Sequence, residues 1–122
     1  ELGTSFSGFS KRHWGFEPNP EMVFPVTDVG VAGVELLRAL LPEGRKVLVN
    51  SPSYASFKKW MLESKNQIVD APLMLEKQAW VLDIEAIEKR FIEGIDVYLL
   101  CSPHNPVGAV HSVDDGDAGG SP

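Results

Sequence analysis

With 122 residues, 43% of them hydrophobic and 23% charged, the chain has the size of one small domain or of a piece of a larger one, and an ordinary globular composition. Its formal net charge of -6, together with the lack of a basic patch, argues against nucleic acid as a partner, and no apolar run is long enough to span a bilayer. Its one cysteine, Cys101, excludes an internal disulfide and favours a reducing compartment such as the cytoplasm.

The first 26 residues show no clear hydrophobic period. They are rich in Gly, Pro and Ser and carry five large aromatic side chains: Phe6, Phe9, Trp14, Phe16 and Phe24. We therefore predict an irregular N-terminal segment over 1–26. Its aromatic side chains either pack on a substantial surface or expose an aggregation-prone one.

Regular structure is predicted to begin at Thr27 and Asp28, which are good N-cap residues. Apolar residues at helical spacing follow, until Pro42 and Gly44 stop the helix. The later patterns predict a strand over 46–50, a helix over 54–64, a strand over 67–71, an ambiguous stretch over 72–82 with a short extended piece around Trp80, a helix that Asp83 caps and Gly94 ends, and a strand over 96–101.

Helices thus alternate with short, nearly all-apolar strands. Alternation of this kind predicts βαβ units on a mainly parallel sheet with right-handed crossovers. Because apolar strands need cover on both faces, we predict a three-layer α/β fold. After Ser112 the chain is rich in Asp and Gly, and residues 113–122 are predicted to form a disordered tail.

Three features are predicted at one edge of this sheet. The helix start at Val29 and Gly30 offers unpaired backbone N–H groups that suit a phosphate, although a glycine there is more often a packing residue. Tyr54 follows the turn after the first strand, where its ring could stack on a flat ligand or belong to the core. Asn105 lies in the Pro-rich loop 101–108 and is either a ligand contact or a turn former.

Neither a metal site nor a nucleophile is predicted. His13 and His111 lie in segments predicted to be irregular and lack matching ligands. His104 suggests acid–base or hydrogen-bonding work, but no Ser, Asp or Cys partner accompanies it at a known spacing. Cys101 fits a small buried hydrophobe at a strand end better than a nucleophile.

Four motifs occur in the order found in a known family. They are RHWGF at 12–16, SPSYASF at 51–57, APL at 71–73 and LLCSPHNPVG at 99–108. From about residue 11 to 112 the chain thereby resembles the cystathionine β-lyase-like (C–S lyase) branch of the class I/II aminotransferases, which are pyridoxal-phosphate enzymes of fold type I. The resemblance implies that residues 27–112 form part of the large, cofactor-binding domain.

The resemblance implies one cofactor, pyridoxal 5'-phosphate (PLP), for all three edge features. Asn105 would hydrogen-bond the phenolic oxygen of the pyridoxal ring, and Tyr54 would stack on the ring face. Backbone amides at Val29 and Gly30 would hold the phosphate. No lysine of the chain matches the Schiff-base lysine, which the family places well downstream of the Asn105 loop. The resemblance therefore assigns no catalytic residue here.

The implied reaction is α,β-elimination on a sulfur amino acid such as cystathionine or cysteine, with ammonia, pyruvate and a thiol as products. Transamination is one alternative, and a non-catalytic fragment with at most a residual cofactor site is another. Family members build their sites across a dimer, so a homodimer is expected for the intact enzyme. The chain by itself is expected to be inactive and to oligomerise or fold marginally.

Overall fold

The computed structural model describes residues 1–111, and the predicted tail over 113–122 lies outside them. The chain divides into two compact units, 1–32 and a second that starts at Gly33. The elements in chain order are α1 (Leu2–Trp14), a 3-10 turn (Pro20–Met22), α2 (Val29–Leu40), β1 (Lys46–Val49), α3 (Ser56–Ser64), β2 (Gln67–Asp70), β3 (Met74–Glu76), β4 (Ala79–Val81), α4 (Ile84–Ile92) and β5 (Val97–Tyr98). In this described part, no helix is both long and apolar enough to cross a bilayer.

The first unit contains α1, so the prediction of an irregular segment over 1–26 is wrong for its first half. The helix ends at Gly15, which has a left-handed φ of 69° and donates its N–H to the Lys11 carbonyl oxygen at 3.2 Å. Aromatic packing supports it, since the ring centroids of Phe9 and Trp14 lie 5.4 Å apart, edge to face. Gly and Ser residues hide the helical period, but the basic last turn followed by glycine is a helix-end signal.

The second unit is built on a three-stranded parallel sheet in the order β2–β1–β5. In the register, Val47 of β1 lies beside Ile68 of β2 on one side and beside Val97 of β5 on the other. The predicted parallel α/β sheet is confirmed. β5 is shorter than the predicted strand over 96–101, because only Val97 and Tyr98 pair with β1.

The stretch over 72–82, ambiguous in the sequence, forms an antiparallel hairpin of β3 and β4. Its two turn residues, Lys77 and Gln78, have φ values of 46° and 71°. Two consecutive left-handed residues match the twist that a two-residue hairpin needs. β4 contains Trp80 and is the short extended piece predicted there.

The side chains of β1 point alternately into two apolar layers, as the period of a strand requires. On one face Val47 and Val49 pack with side chains of α2 and α3: Leu37, Phe57, Trp60 and Met61. On the other face Leu48 packs with residues of the β3–β4 region and α4: Ala71, Leu73, Leu82 and Ile87. Helices therefore cover both faces of the sheet, which confirms the three-layer prediction.

The second-unit part of α2 approaches α3 closely at Gly33. A Cβ at this position would lie 2.6 Å from Cε3 of Trp60, so only glycine allows the approach. Trp60 is 7% exposed, and its ring centroid lies 5.0 Å from that of Phe57. This contact closes the apolar layer on the α2–α3 side.

Candidate functional site

The carboxyl ends of β1 and β5 lie side by side, because the two strands are parallel neighbours. The chain leaves β1 toward β2 on one side and returns as β5 on the other. Such a reversal of strand order opens a crevice beyond the carboxyl ends, where ligands of open α/β sheets bind. The segment after β1 carries Tyr54 and the loop after β5 carries Asn105, so both predicted residues lie at this edge.

His104 connects these two loops. Its side chain is 1% exposed, and its Nε2 lies 3.0 Å from the carbonyl oxygen of Pro52. Its Nδ1 lies 3.1 Å from Nε2 of His111, so His111 has a partner that the sequence did not indicate. The turn is closed by two backbone bonds of 2.6 Å, from the His104 N–H to the Ala109 carbonyl and from the Gly108 N–H to the His104 carbonyl.

Asn105 is exposed at the tip of this turn. Its backbone N–H donates to Sγ of Cys101 at 3.5 Å. Its side-chain amide forms no hydrogen bond within residues 1–111, which leaves a donor and an acceptor available to a ligand. Cys101 is half-buried and packs against the apolar layer of α2 and α3, consistent with the small hydrophobe predicted at the strand end.

Tyr54 is half-buried and packs by one edge into the same apolar layer. Its ring centroid lies 5.6 Å from that of Phe57 and 6.2 Å from that of Trp60, both edge to face. It also lines a shallow cleft of about 380 Å³ together with residues of β1, β2 and α3. Tyr54 thus makes the contacts of a core residue, and it also borders a cleft, as a residue that stacks on a ligand must. Its stacking on a ligand stays a prediction.

Ser51 attaches the start of the Tyr54 loop to β2. Its backbone N–H and its hydroxyl donate to the two carboxylate oxygens of Asp70, at 2.9 and 2.6 Å. The backbone carbonyl of Asp70 in turn accepts a hydrogen bond from Nε of Arg90 at 3.1 Å. The loop is therefore held by Asp70 at its start and by His104 at Pro52.

A buried polar chain lies at the end of β1. Asn50 is 2% exposed, donates from Nδ2 to the Ala71 carbonyl oxygen at 2.8 Å, and accepts from the Tyr98 hydroxyl at 2.7 Å. It joins β1 to β5 and to the segment after β2. Sequence reasoning missed this role, although a polar residue directly after an apolar strand was the available signal.

Burial raises the pKa of Tyr98 above its usual 10.0, and the hydrogen bond to Asn50 acts in the opposite direction. The folded state therefore holds the phenolic proton more tightly than the unfolded state does, and the protonated Tyr98 contributes to the free energy of unfolding. This contribution is complete below pH 10.0 and is lost as pH rises through the folded-state pKa. We expect the free energy of unfolding, measured by urea titration, to fall above about pH 10. Tyr98→Phe should remove that part of the slope, and an identical slope in the variant would contradict the assignment.

In the first unit, Val29 and Gly30 form the first turn of α2, as predicted. Asp28 caps the helix, because its Oδ1 accepts the Val31 N–H at 2.9 Å. The N–H groups of Val29 and Gly30 form no hydrogen bond in this unit and are the unpaired donors expected at a helix start. Their role in holding a phosphate stays a prediction.

The sequence of the chain is similar to the sequences of known proteins. The sequence profile of the family described as "Aminotransferase class I and II" matches residues 5–116. The chain is 34% identical over 117 residues to the cystathionine beta-lyase of Corynebacterium glutamicum, an alignment that covers 91% of this chain and 28% of that protein. The chain therefore spans less than a third of that relative's length.

Solved structures share the fold. The PLP-bound C–S lyase from Staphylococcus hominis superposes with a TM-score of 0.86 at 25% identity, covering 92% of this chain and 30% of that chain. The alanine aminotransferase from Pyrococcus furiosus gives a TM-score of 0.83 at 25% identity, over 93% of this chain and 28% of that chain. The predicted fold class and the predicted family resemblance are both confirmed.

Proposed function

The chain belongs to the class I and II aminotransferase family, and from this premise we propose that it is part of the PLP-binding large domain of a C–S β-lyase. The observation that carries the proposal is the contact of His104 with Pro52, which holds the Asn105 loop beside the Tyr54 loop at the sheet edge. The similarity to a cystathionine beta-lyase supports the choice of reaction. A homodimer in the cytoplasm is part of the proposal.

The residues present fit the chemical groups of PLP. The Asn105 amide has no partner within residues 1–111 and can donate to a phenolic oxygen, and the half-buried Tyr54 presents part of its ring to a shallow cleft that residues of β1, β2 and α3 also line. The unpaired N–H groups of Val29 and Gly30 suit a phosphate, although the nearby Asp28 carboxylate weakens the attraction of that helix end for anions. When bound, PLP supplies an electron sink for the bonds at the substrate α-carbon.

The residues of this chain bind and orient rather than transfer protons. Asn105 would hold the cofactor ring by one hydrogen bond, while Tyr54 would cover a face of that ring and exclude water from it. The proposed substrate is cystathionine or a cysteine-type sulfur amino acid. Its Cβ–S bond breaks, and with one water consumed the products are a thiol, ammonia and pyruvate. No lysine of the chain is proposed to carry the cofactor, so no proton transfer is assigned within it.

Transamination is the second candidate, because the alanine aminotransferase matches this chain with an identity equal to that of the C–S lyase. The assay uses the protein at its full natural length with cystathionine as substrate. Pyruvate formed without an added 2-oxo acid supports the lyase, whereas a requirement for a 2-oxo acid supports the aminotransferase. PLP binding without either activity supports a non-catalytic protein.

The lysine assignment has its own experiment on the 122-residue chain. The chain is mixed with PLP and reduced with borohydride, and the modified lysines are mapped by mass spectrometry. We expect scattered, substoichiometric labelling of exposed lysines such as Lys58 and Lys59. A single stoichiometric site would overturn the proposal that the Schiff-base lysine lies outside this chain.

Asn105→Ala is expected to weaken PLP binding by about 0.5–1.5 kcal/mol, the net contribution of one hydrogen bond. The measurement is a PLP titration of the protein at its full natural length, followed by absorbance of the bound cofactor. Ser102→Ala is the matched control, because Ser102 is exposed in the same loop and its side chain forms no hydrogen bond within residues 1–111. Equal affinity and an equal cofactor spectrum in Asn105→Ala would contradict the assignment.

A further inference from the structure

We propose that His104 and His111 are positioning residues for the cofactor site, and that this pair of imidazoles fixes the spacing between the Asn105 loop and the Tyr54 loop. The ligand in this inference rests on the proposed function. The geometry of the two histidines is independent of the proposed function, because it consists of two contacts within the chain. These are Nε2 of His104 to the Pro52 carbonyl oxygen, and Nδ1 of His104 to Nε2 of His111.

The Pro52 carbonyl decides the direction of both hydrogen bonds. A carbonyl oxygen only accepts, so Nε2 of His104 carries a proton and donates at 3.0 Å. A neutral imidazole protonated at Nε2 presents a lone pair at Nδ1. Nε2 of His111 must then be the donor in the 3.1 Å contact. The result is a directed chain from His111 through His104 to the backbone of the Tyr54 loop.

Burial makes this chain a strong constraint. His104 is 1% exposed, so a ring nitrogen that lost its partner would be left unsatisfied away from water, at a cost that usually exceeds that of an exposed hydrogen bond. The two imidazole planes meet at 83° with centroids 5.3 Å apart, which is compatible with a lone-pair contact and not with stacking. Because both ring nitrogens are held, the ring has one orientation and sets the backbone at residue 104.

Asn105 depends on this anchor because its own side chain has none within residues 1–111. It follows His104 directly in sequence, so its Cα position is set by the His104 ring and by the two bonds that close the turn. At the other end, only Ser53 separates Pro52 from Tyr54. One buried ring therefore bridges the two loops whose residues are proposed to touch the same cofactor.

The tautomer of His104 tests the geometry without any cofactor. Long-range 1H–15N correlation spectra of the histidine-labelled protein distinguish a proton on Nε2 from one on Nδ1. We expect His104 to carry its proton on Nε2 and to keep that tautomer in His111→Gln, whose amide can still donate. A proton on Nδ1 of a neutral His104 would overturn the inference whether or not PLP binds.

The positioning role is tested by PLP titration of the protein at its full natural length. His111→Leu removes the donor and is expected to weaken PLP binding about 5- to 10-fold, while His111→Gln should stay within about twofold of the parent protein. His13→Leu is the matched control, because His13 lies exposed in α1.

The outcomes separate the two proposals. If the parent protein does not bind PLP, the proposed function fails, and the His104 tautomer still decides the geometry. If the parent protein binds PLP and His111→Leu binds it equally well, the positioning role is overturned. Should His111→Leu fail to fold, the affinity and His104 tautomer of His111→Gln decide, and a tenfold loss in that variant would count against the role.

Discussion

Trp60→Ala is expected to lower the free energy of unfolding by about 3–5 kcal/mol, the usual range for removing a buried tryptophan. The side chain is 7% exposed and fills the space between α2 and α3. On the α2 side it lies so close to Gly33 that a Cβ there would collide with it. The indole is also edge to face with Tyr54, so its loss should loosen the ring proposed to cover the cofactor.

The measurement is a urea titration followed by far-ultraviolet circular dichroism. Trp14→Ala is the control, because Trp14 is 64% exposed and its loss is expected to cost less than about 1 kcal/mol. A Trp60→Ala effect no larger than that of the control would mean that the α2–α3 layer does not carry the stability we assign to it.

Asn50→Leu is expected to lower the free energy of unfolding by about 2–3 kcal/mol, since it leaves two polar groups without partners. The first is the Ala71 carbonyl, whose residue is fully buried, and the second is the Tyr98 hydroxyl. Leucine has the branched shape of asparagine and the same number of side-chain heavy atoms, so the effect reports lost hydrogen bonds more than an empty space.

A double-mutant cycle with Tyr98→Phe isolates the shared bond. Tyr98→Phe removes the hydroxyl that Asn50→Leu would strand, so the double variant should lose less stability than the sum of the two single variants. The urea titrations are run at pH 7, well below the range in which Tyr98 titrates. Additive effects would show that the 2.7 Å contact between Asn50 and Tyr98 contributes no coupling.

Most helices and strands after residue 27 were predictable because apolar periodicity reports them, but the hairpin over 72–82 was ambiguous because its strands are only three residues long. The triplet Val47-Leu48-Val49 indicates a strand covered on both faces, and the structure sends its side chains into two layers. The strand order β2–β1–β5 was not predictable, because a local pattern does not say which strand pairs with which. The helix α1 was missed because its large side chains, Phe6, Phe9 and Trp14, are irregularly spaced between Gly and Ser, and because its buried residues are the serines Ser7 and Ser10.

In the candidate site, too, residues with a local sequence signal were predictable and residues that act through distant partners were not. The positions of Tyr54 and Asn105 at the sheet edge were predictable because each follows an apolar strand in a Pro-rich turn, which is a local signal, and their contacts with a cofactor stay predictions. His111, Asn50 and Asp70 were missed because each acts through a partner that only the folded chain brings near. The motif around His104 identified the family, yet nothing in it revealed that its ring bridges two loops.

Because β1 lies in the centre of the sheet, its two edges become paired at different times during synthesis. Its second neighbour arrives late, since Lys46 is bonded to Asp96, 50 residues further along. At a ribosomal rate of about 5–20 residues per second, one flank of β1 therefore waits roughly 3–10 s for its partner during synthesis. In that interval the nascent chain displays an unpaired apolar strand edge, which is the surface that holdase chaperones capture and that promotes aggregation. Slow codons between β2 and β5 would lengthen the exposure without altering a single residue.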